Sequence, residues 1–296
     1  MNKTRIGTAI LLAGLVALAL VLAGRFAAIF AEPLYPISRS IQYSFTLENR
    51  TDRLLKQAEF WSYAPVRESP TQRCMKVESS HPHELLVDEL GNQVLHFTLK
   101  NLPPLARRII LIRADLFLAD APNPMSMRDL QPFLRPERFV ESESPDIAQL
   151  ARKLRSGEPL RTAEKVFQWV SSNVQYAGYL KNERGALYAI REKKGDCTEF
   201  MDLFAALCRA NTIPVRRIGG YVCSENAVLT PSEYHNWAEF YDGAFWRIAD
   251  PQRKVFMKGA SRYVAMEIMG ESSKNPMGNN HRFRVFGDGL TVKMNG

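Results

Sequence analysis

Only four cysteines occur in the 296 residues, and no CxxC pair or Cys/His spacing suited to zinc is formed by them. No acidic loop is dense enough for a calcium site. His81-Pro82-His83 brings two imidazoles together without a partner cluster, and reads as a solvated loop. Neither a metal nor a cofactor is therefore expected. Basic residues exceed acidic ones only mildly, 39 to 31, for a net charge of +8. They are not interleaved with aromatics as in single-strand binders, so nucleic acid is not an expected partner. The excess suits an anionic lipid or cell-wall surface.

One long hydrophobic run stands out. Ile6–Gly24 is uncharged, preceded by Lys3 and Arg5, and followed by Arg25 and a further apolar patch to Ala31. It is close to the ~20 residues a helix needs to span a bilayer and longer than the roughly 7–15 of a signal-peptide core. Ile29-Phe30-Ala31 is a poor cleavage site, and no lipobox cysteine follows. Residues 1–33 are therefore expected to form an uncleaved signal anchor, with secretion after cleavage as the alternative. Basic residues ahead of a span stay cytoplasmic, which would leave the bulk of the chain on the exterior or periplasmic side.

The remaining length suits two modest domains. Residues 34–122 read as β-rich. Ile41, Tyr43, Phe45 and Leu47 alternate with polar residues; Leu85–Val87 and Leu95–Leu99 flank Gly91-Asn92 as a hairpin; Ile110, Ile112, Ala114, Leu116 and Leu118 form one face of a long strand. A small β-sandwich is expected there, a surface that could meet a cell-envelope protein. Residues 123–143, rich in proline and charge, read as a linker. Residues 144–296 form the second unit. Ser144-Pro145 opens a helix, Ala163, Val166 and Val170 stripe a second, and Tyr188 and Ile190 belong to a short third. Beyond Pro251 the pattern fades into a polar loop with a short helix, and then Arg282–Phe286 and Leu290–Met294 read as a last hairpin.

The chemistry concentrates between Gly195 and Asp250. Asp196 is a good N-cap, which places Cys197 in the first turn of a helix whose apolar face carries Phe200, Phe204, Leu207 and Cys208. Free amides and the positive dipole end at such a position are expected to favour thiolate over thiol. Downstream, Asp242-Gly243 lies between two aromatic-rich runs and reads as a two-residue turn. That turn sets Tyr241 against Ala244, Phe240 against Phe245 and, continued, His235 directly against Asp250. Opposed residues share a face, so the carboxylate can accept the imidazole N–H and fix its tautomer. A slip of one residue would separate them. Cysteine, histidine and aspartate so arranged perform nucleophilic acyl chemistry.

Gly195-Asp196-Cys197, Leu207-Cys208-Arg209-Ala210, Ile213-Pro214-Val215-Arg216, Gly220-Tyr221, His235-Asn236-Trp237-Ala238-Glu239 and Ala249-Asp250-Pro251 together resemble the core of the transglutaminase-like superfamily. The resemblance implies an α+β fold similar to papain-like thiol enzymes. A helix carrying Cys197 would pack on an antiparallel sheet carrying His235 and Asp250, preceded by the β-sandwich-like domain. By the family's upstream position it also implies Gln175 or Tyr176 as a second oxyanion donor beside the Cys197 backbone amide. Where the family usually ends the helix on glycine, this chain has Asn211-Thr212. Asn211 is expected to serve as the left-handed cap, because a β-branched threonine would be strained there.

Trp237 and Trp246 flank the hairpin as cleft walls or as core. Arg216, Arg217 and Glu239 are expected as structural pairs. At most one disulfide is expected among Cys74, Cys208 and Cys223. These features suggest a thiol enzyme acting on amide or peptide bonds of a peptide or protein substrate at the cell envelope, with hydrolysis favoured over amine cross-linking. The alternative is a catalytically idle scaffold or binding module.

Overall fold

Two-residue alternation makes Ile37–Asn49 (β1) a half-buried strand: Ile41, Tyr43, Phe45 and Leu47 point inward and the residues between them are only partly covered. The computed structural model describes residues 34–125, 129–270, 277 and 282–296. The anchor expected over residues 1–33 lies outside them. Among the described residues, no helix is long and apolar enough to cross a membrane.

After β1 come β2 (Leu55–Ala64), β3 (Glu68–Ser69), β4 (Gln72–Ser79), β5 (Glu84–Val87), β6 (Gln93–Leu102) and β7 (Arg107–Leu118). β7 runs antiparallel between β1 and β4, and β6 antiparallel between β2 and β5, in two separate sheets. Their inner faces share one core, in which Phe45 packs on Phe60 at 4.9 Å and Phe60 on Phe97 at 5.5 Å between ring centroids. Each large apolar side chain buried there contributes about 1.5–3 kcal/mol. The β-rich region is thus a sandwich.

Helices α1 (Pro145–Leu154), α2 (Pro159–Asn173), α3 (Gly185–Glu192) and α4 (Cys197–Arg209) follow. α1 begins as its sequence indicates, with Ser144 accepting from the Ile147 amide and Pro145 in the first turn. A two-residue strand β8 (Gln175–Tyr176) pairs in parallel with β9 (Lys194–Gly195), directly ahead of α4. The remaining strands are β10 (Val215–Val222), β11 (Ala227–Val228), β12 (Tyr234–Tyr241), β13 (Trp246–Asp250), β14 (Val255–Phe256), β15 (Tyr263–Met269), β16 (Phe283–Phe286) and β17 (Leu290–Met294). A five-stranded antiparallel sheet in the order β14-β13-β12-β10-β15 carries α4 on one face, with Phe204 against Phe240 at 6.0 Å. Every residue of α4 after Cys197 is buried.

Three segments differ from their sequence reading. Residues 129–143 are packed: Phe133 and Val140 are buried, and Glu137 receives both Arg209 and Arg217. Tyr263–Met269 is a fully buried strand, not a polar loop. Apart from the buried Glu267 it is apolar on both faces, so it lacks the alternation by which half-buried strands are recognised. The last two strands do not pair as a hairpin; β16 joins β2 and β17 joins β1, so the chain end returns to the sandwich.

Candidate active site

The start of α4 is fastened on three sides. Asp196 accepts from the Thr198 amide at 2.8 Å, while Glu199 accepts from the Asp196 amide at 2.9 Å, a reciprocal capping box. The other carboxylate oxygens take the Leu180 and Arg184 amides, both at 2.9 Å, tying the preceding loop to the helix head. Gly195 makes this closeness possible: a Cβ there would come within 2.4 Å of the Glu199 side chain. On the sheet side, Asn236 Nδ2 donates to the Thr198 hydroxyl at 2.9 Å. Cys197 is only partly buried, at the rim of this junction.

The hairpin forms with its turn moved by one residue. Its pairs are Tyr241 with Trp246, Phe240 with Arg247, Glu239 with Ile248 and Ala238 with Ala249. Asp242 does not enter the turn as a central residue. Its amide donates to the Phe245 carbonyl at 3.0 Å, and its side chain accepts from the Ala244 and Phe245 amides, both at 2.8 Å. Gly243 is then the first central residue, with φ of 100°, which glycine adopts without strain. His235 and Asp250 are therefore diagonal, not directly opposed. Moving a two-residue turn by one position changes each partner by two, so both side chains stay on one face. Diagonal neighbours remain within reach of long side chains, and His235 Nε2 meets Asp250 Oδ2 at 2.6 Å. Both residues are buried.

Cys197 departs from its expected electrostatics. Burial, then the Asp196 carboxylate, push its thiol up to about 12, with Asp250 adding to the rise. The Asn236 backbone amide and the Thr198 hydroxyl pull the other way by hydrogen bonding to the sulfur. Burial first, and then the charge of the capping Asp196, thus oppose the thiolate that the helix start was expected to favour. The sulfur meets the backbone of Asn236, the neighbour of His235 on β12.

Gln175 and Tyr176 sit on β8 beside Lys194-Gly195, with the Gln175 amide donating to the Lys193 carbonyl at 2.8 Å. Both side chains are exposed. Trp237 is buried and lies nearly parallel to the His235 ring, at 19° and 6.5 Å. Trp246 is enclosed by Phe133 and by the Arg216 guanidinium, 4.4 Å from its ring centroid, and packs as core. Arg216 pairs with Glu239 at 2.7 Å; Arg217 reaches Asp202 and Glu183, each at 3.0 Å, and Glu137. These are the expected structural pairs. Against the opposing effect of burial, Arg217 and Arg209 hold the Glu137 carboxyl below its usual range.

At the end of α4, Thr212 and not Asn211 takes the left-handed conformation, with φ of 60°. Asn211 is occupied elsewhere: its side chain donates to Ala151 O and Leu207 O at 3.0 and 3.1 Å and accepts from Arg155 Nε at 2.9 Å, binding α1 to α4. All four cysteines are free, Cys208 facing the core.

Sequence reasoning missed Tyr263. Its hydroxyl donates to Asp250 Oδ2 at 2.9 Å from the first residue of β15. No local signal marked it, because its role exists only once β15 is placed at the sheet edge.

Residues 148–251 match the family model described as the transglutaminase-like superfamily. The structure is similar to that of a candidate cysteine protease from Cytophaga hutchinsonii, with a TM-score of 0.57, 18% identity, and coverage of 88% of this chain and 92% of that one. It is also similar to the periplasmic domain of TgpA from Pseudomonas aeruginosa, with a TM-score of 0.39, 13% identity, and coverage of 70% and 90%. At 18% identity the likeness to the first of these is one of fold. No curated protein matches the sequence.

Proposed function

We propose, from the premise that residues 148–251 are a transglutaminase-like domain, that this domain hydrolyses amide or peptide bonds through Cys197, His235 and Asp250. The observation that carries the reading is the 2.6 Å bond from His235 Nε2 to Asp250 Oδ2, formed beside a partly exposed cysteine at a helix head. With Nε2 engaged, Nδ1 is the imidazole nitrogen left to exchange a proton with sulfur.

The raised thiol favours a coupled order of events. The Cys197 proton passes to His235 as the sulfur attacks the carbonyl carbon, so attack and deprotonation are coupled and no standing ion pair is required. The tetrahedral oxyanion is met by the Cys197 amide, which at a helix start has no intrahelical acceptor. The Gln175 side-chain amide, or a donor from Tyr176, completes the hole. Collapse breaks the C–N bond, and the imidazolium gives its proton to the leaving amine. Water then attacks the thioester with His235 as base, releasing the acid and restoring the thiol. Asp250 orients the ring throughout.

Water is the favoured acceptor because no separate amine site is recognised in the sequence. The envelope location rests on the run Ile6–Gly24 and the basic residues before it, and a peptide or protein is the substrate that such a location presents. The sandwich would supply the surface for an envelope partner. A second reading, an idle scaffold, draws support from the placement of Cys197, where burial and the Asp196 carboxylate raise its thiol.

The test is full-length protein incubated with unfolded casein and read by mass spectrometry. New chain termini that vanish in Cys197→Ala support hydrolysis, and new isopeptide cross-links would replace it by transamidation. Identical spectra from the two proteins would retire the enzyme in favour of the scaffold. Membrane fractionation with protease accessibility checks the location.

A further inference from the structure

Three hydrogen bonds converge on the Asp250 carboxylate. His235 Nε2 and the Tyr263 hydroxyl share Oδ2 at 2.6 and 2.9 Å, and the Arg253 amide takes Oδ1 at 3.0 Å. Tyr263 comes from β15, two strands beyond β12 in the sheet order from β13. Gly220 on the intervening β10, paired with His235, lets β15 and Trp237 close in: a Cβ there would come within 2.1 Å of the Val264 carbonyl oxygen and 2.7 Å of the Trp237 ring.

We propose that Tyr263 is a positioning residue, whose hydroxyl holds the Asp250 carboxylate and draws charge from the oxygen that receives the imidazole, so setting how strongly His235 retains a proton. The inference rests on reading His235 as the acid–base group of the site. Packing alone does not call for the hydroxyl. The ring lies edge-on to Trp237 at 5.1 Å, as a phenylalanine would, and Trp237 in turn lies along His235. Burial and then the neighbouring Asp250 charge push the phenol well above its usual range, so it remains a donor at every working pH. The other ionisable groups around this site are Cys197 and Asp196 at the head of α4, Arg253 after β13, and Arg262 just ahead of β15. None of them stands between the hydroxyl and the shared oxygen.

A carboxylate that gives up charge to a phenol stabilises an imidazolium less. Removing the hydroxyl therefore raises the proton affinity of His235. The experiment is a carbon-13 NMR titration of full-length protein labelled at the histidine ring. There are five histidines, and the His235 signal is assigned by its loss in His235→Gln. Tyr263→Phe should move the His235 midpoint up by about one pH unit, a factor of ten in proton affinity. 3-Fluorotyrosine placed at position 263, a stronger donor, should move it down, and Asp250→Asn should abolish both shifts. An unmoved midpoint in folded Tyr263→Phe overturns the proposal. Should that variant not fold, the near-isosteric fluorotyrosine protein decides by the same criterion. The titration needs no turnover, so the two readings fail separately. Midpoint shifts without casein cleavage retire the enzyme and keep the positioning role, whereas cleavage without shifts does the reverse.

Discussion

His235 and Asp250 close to 2.6 Å from diagonal positions on neighbouring strands, because the turn between them places Gly243 rather than Asp242 at its first central position. Contact survives because partners changed by two, the period of a strand. The carboxylate is also braced independently of the histidine, by Tyr263 and the Arg253 amide. Asp250→Asn keeps one of these acceptor oxygens, so it should still fold, at a cost of about 1–2 kcal/mol, and misorient the imidazole, lowering turnover by about 10²–10⁴-fold. Circular dichroism and casein cleavage measure the two halves. Full activity in a folded variant would remove Asp250 from the mechanism.

The Cys197 thiol should show its protected state directly. Alkylation by iodoacetamide, followed on the Cys197 peptide, should lack a plateau near neutrality and keep rising with pH, as burial and Asp196 dictate. Asp196→Asn removes the charge beside the sulfur, so the rate at pH 7 should rise about tenfold. An asparagine cannot accept from both the Thr198 and Leu180 amides, so the same change should cost about 1–2 kcal/mol of stability. A rate that is already maximal at pH 7 in the wild type would show that the dipole prevails after all.

Glu199 links stability to pH. Burial raises its carboxyl to about 7, against the Asp196 and Arg184 amides that favour the charged form. A raised acid stabilises the fold while protonated. Its contribution is present in full below about pH 4.3 and is lost as pH climbs towards 7. Glu199→Gln cannot titrate, so relative to wild type it should gain on the order of 2 kcal/mol between pH 4.5 and 7.5. Urea midpoints at four pH values test this, and parallel curves would contradict it.

Thr212 stores strain. A β-branched residue in the left-handed region costs roughly 1–2 kcal/mol, of which glycine's extra chain entropy returns about half. Thr212→Gly should stabilise the protein by about 0.5–1 kcal/mol, read as a raised urea midpoint, and leave Cys197 alkylation unchanged. Thr212→Ala retains the strained backbone and should bring no such gain.

The candidate triad was legible because each member carries a local mark: a capping aspartate before Cys197, and two strands joined by a short turn between His235 and Asp250. The turn itself was read one position early, since Asp-Gly fits both a two-residue loop and an aspartate bracing the loop that follows it. The expected Asn211 cap failed for a long-range reason, because α1 claims its side chain. The linker expected over residues 123–143 could not be seen as packed from its composition, since Glu137 finds its arginines on α4 and β10.

Periodicity and capping chemistry act over a few residues, so the sandwich strands, the helix starts and the face shared by His235 and Asp250 were already written in the order of amino acids. Desolvation and charge add up over everything that surrounds an atom. The raised thiol of Cys197, the return of the chain end to the sandwich, and the bond from Tyr263 to Asp250 therefore arose only when segments distant in sequence were packed together.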